Sequence, residues 1–143
     1  MRLRPLWLSV IFFALAGCEN EEVLPAEPQL MVDRDSLGFG LEFDSSTYVG
    51  TEVTESLYIE NRGQQPLEIT SVEKTGASQF TLTLPEPLDQ GQPLQLESRQ
   101  HTFIQVAFKP TQARDYQGQL LIKSNAANTP EKTIELSGRG VSP

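Results

Sequence analysis

The sequence predicts an all-β fold, an antiparallel sandwich in which each sheet buries one face. Three observations carry that prediction. Between Leu30 and Val141 apolar residues recur at every second position, the period of a half-buried strand. No part of that region keeps the spacing of an amphipathic helix for long. Prolines and glycines punctuate it at the short intervals expected between antiparallel strands.

The chain before Leu30 is of another kind. Arg2 and Arg4 precede the apolar run Leu6 to Gly17, which is too short to span a bilayer as a helix. A positive segment, a short apolar segment and small residues make a secretory leader, here residues 1–17. Its exit, Leu15-Ala16-Gly17-Cys18, resembles the lipobox of bacterial lipoproteins. The resemblance implies a diacylglyceryl thioether on Cys18, cleavage before it and acylation of the new amine, so the membrane is a partner. Several acyl chains hold stably where one holds marginally, since each buried CH₂ adds about 0.8 kcal/mol. In that family Asp directly after the Cys retains the protein at the inner membrane. Glu19 stands there instead, which implies export to the outer membrane of a Gram-negative envelope.

Residues 18–29 are expected to be an extended, solvated tether. Glu19, Glu21, Glu22 and Glu27 repel one another, while Pro25 and Pro28 block helix and sheet.

Residues 30–141 then supply the strands. Leu37, Phe39, Leu41 and Phe43 alternate first, followed by Val53, Leu57 and Ile59, then Leu67 and Ile69. Phe80, Leu82 and Leu84 come next, and a short strand is expected around Leu94 to Leu96. Ile104, Val106 and Phe108 alternate cleanly, as do Tyr116, Leu120 and Ile122, and finally Ile134 and Leu136. Turn residues fall between them: Asn61 and Gly63 before Pro66, Asp89 and Gly91 before Pro93, Asn125 and Asn128 before Pro130. Tyr116, opening a strand after Ala113-Arg114-Asp115, fits a tyrosine corner.

An ordered series of short motifs runs through this region. Leu37-Gly38-Phe39-Gly40, Gly50-Thr51, Leu57 to Gly63 and Pro66 to Ile69 form one block. Phe108-Lys109-Pro110, Tyr116 to Ile122, Ser124-Asn125 and Ile134 to Gly140 form the other. Together they resemble the ASH or Hydin-like domains, known in bacteria as choice-of-anchor D repeats. The resemblance implies an immunoglobulin-like sandwich of about seven to nine strands, related to major sperm protein and PapD-type chaperone domains. It also implies a structural or protein-binding module with no catalytic residue and no cofactor. Two departures concern loops: nine residues separate Gly40 from Gly50, and Arg114-Asp115 replaces the usual glycine before the aromatic.

Composition limits the chemistry. One Cys excludes an internal disulfide, and one His excludes a site of two imidazoles. With 11 basic against 19 acidic residues, a nucleic-acid partner is not expected, because phosphate contacts need clustered Lys and Arg. His101 shares the outer face of its strand with Phe103 and Gln105, and no GxSxG elbow accompanies it. Asp33, Asp35 and Asp44 are oxygen ligands of the kind that hold Ca²⁺, but that ion wants about six to eight. Arg34 lies between the first two and no EF-hand loop pattern is present, so a solvated turn is expected. Gly138-Arg139-Gly140 has no helix behind it, so it is no phosphate cradle. No metal and no cofactor is expected.

Two function classes remain: a lipid-anchored, non-catalytic envelope module that binds another envelope protein, or a small envelope hydrolase or carbohydrate-binding domain. The only Trp, Trp7, lies in the leader, which counts against sugar stacking. In such a sandwich the strands around Leu57 and Val106 pair within one sheet. If Leu57 and Ile104 point inward, Tyr58, His101 and Phe103 point outward together, a candidate partner contact or a cross-strand support. The other sheet presents Glu68, Thr70, Gln117, Gln119, Lys123, Thr133 and Glu135, with Leu121 the one apolar residue.

Overall fold

A computed structural model describes residues 22–40 and 46–143. The described residues form ten strands: β1 (Leu30–Val32), β2 (Ser36–Phe39), β3 (Ser46–Tyr48), β4 (Val53–Asn61) and β5 (Leu67–Gly76), then β6 (Phe80–Thr83), β7 (Leu94–Leu96), β8 (His101–Phe108), β9 (Asp115–Ser124) and β10 (Glu131–Val141). Among the described residues the only helical element is a 3-10 turn at Leu88–Gln90. The sandwich is therefore all-β. One sheet runs β1-β4-β8-β6 and the other β2-β10-β9-β5-β7, with β3 also on β10.

Alternation places the core as the sequence predicts. Leu57, Ile59, Ile104, Val106 and Phe108 from the first sheet meet Ile69, Leu120, Ile122 and Ile134 from the second, all fully buried. Phe39, Phe80 and Phe108 form an aromatic centre, with centroids 4.9 Å apart for Phe80–Phe108 and 5.2 Å for Phe39–Phe80. Tilted and offset rings of this spacing match the quadrupole preference of aromatic pairs. Tyr116 packs edge-on to Phe108 at 5.5 Å, and the Gln112 N–H donates to its hydroxyl at 3.0 Å. This is the tyrosine corner: an apolar ring inside and a satisfied hydroxyl at the turn. In place of the missing glycine, the Arg114 guanidinium lies 4.9 Å over the Tyr116 ring, and Asp115 pairs with Arg139.

Two expectations need correction. Pairing is not wholly antiparallel, because β2 and β3 both run parallel to β10. Of the first run, Leu37 and Phe39 lie in β2, while Leu41, Phe43 and Asp44 lie outside the described residues. Phe39 lies against Gly138 and Ser46 against Arg139, so residues 40–45 intervene where β10 advances by one position. The buried Thr47 hydroxyl closes that insertion by donating to the Phe39 carbonyl at 3.2 Å. β2 and β3 are thus one strand position interrupted by the extra residues between Gly40 and Gly50.

The second correction concerns the tether. Residues 24–29 are not a solvated spacer but a strap along the β4–β5 turn. Pro25 and Ala26 carbonyls accept the Gln64 and Gln65 N–H groups, at 2.9 and 3.2 Å. The Arg62 N–H donates to Gln29 and the Ala127 N–H to Pro28, both at 2.9 Å. Leu24 and Pro28 are buried. Asn61, fully buried, joins the parts: its Oδ1 accepts from Gln29 and Gly63, and its Nδ2 donates to Gln65 and Leu96. Gly63 is required there, since a Cβ would overlap the Glu27 carbonyl. Proline forbids a strand interior but leaves carbonyls free to accept.

Candidate partner-binding face

The outer face of the first sheet gathers the three residues expected there. Tyr58 of β4 lies directly opposite Phe103 of β8, and Glu60 opposite His101. Their inward neighbours Leu57, Ile59 and Ile104 are fully buried, so the period-two pleat forces these four side chains outward. The rings form one cluster. Tyr58 stacks on His101 at 5.1 Å and 27°, while Phe103 meets Tyr58 edge-on at 5.4 Å and His101 at 5.9 Å.

Polar contacts fix the cluster from one side. The Tyr58 hydroxyl donates to Glu60 Oε2 at 2.8 Å, and Arg62 Nε approaches Glu60 Oε1 to 2.9 Å. That donated bond holds the phenol in its neutral form and raises its pKa above the ordinary tyrosine value; burial and the Glu60 charge act the same way, and Arg62 opposes them. The Tyr58 backbone is clamped as well. Its N–H donates to Asp33 Oδ1 at 3.0 Å, and its carbonyl accepts the Asp33 N–H at 3.2 Å.

The pattern had shown Tyr58, His101 and Phe103, and the structure brings them together. Glu60 falls on the Tyr58 face by alternation, but its bond to Tyr58 and the parts of Arg62 and Asp33 at this face are not in the pattern. Position 62 extends the same alternation, which was a usable signal, whereas Asp33 reaches Tyr58 only through the pairing of β1 with β4. Phe103 is 50% exposed, one of the few large apolar side chains left open among the described residues. β6 pairs only with residues 105–108 of β8, so no described strand covers the other edge of His101 to Ile104. A groove of about 530 Å³ opens there, lined by Leu94, Leu96, Arg99, His101 and Thr102. On the second sheet Glu68, Thr70, Gln117, Gln119, Thr133 and Glu135 are exposed and polar, and Tyr48 of β3 is the exposed aromatic, with no ring contact to a neighbour among the described residues.

The Ca²⁺ ligands do not converge. Asp33 is engaged by Tyr58 and Arg34, Asp35 by Lys132 at 2.6 Å, and Asp44 lies outside the described residues. No group of metal-ligating side chains forms among the described residues. Cys18 likewise falls outside them.

Residues 27–141 match the sequence family Cep192 domain 4. The chain belongs to that family. Among solved structures, this Cep192-family protein is similar to the ASH/PapD-like domain of human CEP192 (PapD-like domain 7). The two share 15% identity at a TM-score of 0.57, over 98% of this chain and 99% of that one. It is also similar to a Porphyromonas gingivalis W83 protein of unknown function, with 15% identity and a TM-score of 0.63, over 82% of this chain and 49% of that one. A third likeness is to the Vibrio cholerae VesB protease, at 19% identity and a TM-score of 0.52, over 78% of this chain and 32% of that one. At such identities the likeness is one of fold: an ASH/PapD-like, immunoglobulin-like sandwich. A comparison with curated protein sequences finds no match.

Proposed function

We propose that this Cep192-family protein is a lipid-anchored, non-catalytic envelope lipoprotein whose sandwich binds another envelope protein through Tyr58, His101 and Phe103. The ring cluster is the observation that carries the reading. Exposed His101 and Phe103 in contact with half-buried Tyr58, beside an open strand edge, offer the apolar core that protein interfaces favour. Because Glu60 and Asp33 hold Tyr58 in place, little side-chain freedom is lost when a partner covers it. The anchor rests on the lipobox-like series ending in Cys18, and the outer-membrane location on Glu19.

The test is quantitative partner recovery from solubilised envelopes, with Tyr58→Ser/Phe103→Ser set beside the unaltered protein. A specific partner lost on the double change supports the reading, and undiminished recovery by the folded variant rejects this face. For the anchor, mass spectrometry of membrane fractions should yield an N-terminal peptide beginning at acylated Cys18. A soluble product cut after Ala14 or Ala16 would refute it.

A further inference from the structure

The strap decides how the domain can stand relative to its anchor. Every contact it makes lies at one end of the sandwich, where the β4–β5 turn, the β7–β8 turn and the β9–β10 turn gather. Gln64 and Gln65 hold Pro25 and Ala26, Ala127 holds Pro28, and Arg99 donates to the Glu22 carbonyl at 3.5 Å. Arg62 also reaches the Glu22 carboxylate at 3.5 Å. Glu22 is therefore already at the domain, four residues beyond Cys18.

Two lengths set the geometry. Four residues, fully extended, span at most about 14 Å. The nine residues of β4, which run from the opposite end to this one, span roughly 25–30 Å. Val23, between the pinned Glu22 and the buried Leu24, is 85% exposed, the most exposed large apolar side chain among the described residues. An apolar residue so placed is unfavourable in water and favourable at a bilayer interface.

We propose that the end formed by the strap and the turns around Gln64, Arg99 and Ala127 rests on the lipid surface, with the long axis of the sandwich standing away from it. The proposal rests on acylation of Cys18, argued above. It adds a second surface, one whose partner is the headgroup layer of the bilayer itself. The ring cluster then lies on a flank, with His101 and Glu60 nearest the membrane, so its protein partner is met close to the bilayer.

The test uses the acylated full-length product, in which Cys18 is blocked and a new cysteine can be labelled alone. Ala127→Cys marks the strap end and Ala113→Cys the far end, and both positions are exposed. Each variant is confirmed as folded by its melting curve, labelled with a fluorophore and reconstituted into phosphatidylcholine vesicles containing a headgroup-labelled quencher lipid. Quenching should be several-fold stronger at position 127 than at 113. Equal quenching, or stronger quenching at 113, in protein that floats with the vesicles overturns this orientation and leaves the anchor standing. Protein that fails to float overturns the anchor and the orientation together.

Discussion

The Phe108 ring packs against Gly138, so that a Cβ on Gly138 would stand 2.6 Å from a ring carbon. The two residues belong to opposite sheets, and the missing side chain is what lets the sheets close over the aromatic centre. Phe108→Ala should cost about 3–5 kcal/mol in chemical denaturation, because a fully buried ring leaves a cavity among Phe39, Phe80 and Tyr116. Gly138→Ala should cost about 1–3 kcal/mol by overpacking. The double change should be less costly than the sum, since the smaller residue makes room for the methyl.

Asn61 should be the most sensitive polar position. Asn61→Leu removes both the acceptor for Gln29 and Gly63 and the donor for Gln65 and Leu96. Each buried group left without a partner costs about 1–3 kcal/mol. Hydrogen exchange should show the Gly63 and Gln64 amides losing protection before those of β8 and β9.

The strap should contribute measurable stability. A fragment of residues 22–143 should melt cooperatively and at a higher temperature than one of residues 30–143, which lacks four backbone hydrogen bonds and buried Leu24. Neither midpoint should move with EDTA or reductant. Identical midpoints for the two fragments would show that the strap only decorates the turn.

Tyr58 gives a pH dependence with a definite sign. Its pKa is raised in the folded protein, chiefly by donation to Glu60, so its contribution is complete below the ordinary tyrosine pKa. That contribution is lost as pH rises through the higher folded value. Phenolate absorbance should show one tyrosine titrating late, and Tyr58→Phe should abolish that late step and flatten stability in the same alkaline window. At the acid end the sign reverses. Asp115, lowered by its hydrogen bond to Arg139, supports the fold above the ordinary carboxylate range and loses that support as pH falls through its folded value. Asp115→Asn should remove that acid step.

The ring cluster should be nearly neutral for the fold. Tyr58→Ser/Phe103→Ser removes a cross-strand pair of half-buried Tyr58 and exposed Phe103, worth roughly 0.2–1 kcal/mol. A loss well beyond that in urea denaturation would mark the rings as sheet supports.

Local patterning determined much of this protein. Alternation alone separated Leu57 and Ile104 from Tyr58 and Phe103, because a pleated strand sends neighbouring side chains to opposite faces. The tyrosine corner at Tyr116 and the short strand at Leu94–Leu96 were legible for the same reason, one residue type or one period acting over a few positions. The tertiary structure alone decided three things: the docking of residues 24–29, the parallel seating of β2 and β3 on β10, and the burial of Glu60 under Tyr58 and Arg62. The strap is held mainly by backbone carbonyls and N–H groups, which every sequence possesses, so its prolines and glutamates read as solvated chain. Parallel pairing with β10 joins residues nearly a hundred positions apart, and no local period records which distant edge a strand will find. Glu60 is buried because a tyrosine hydroxyl and a guanidinium reach it together, a coincidence in space that composition does not carry.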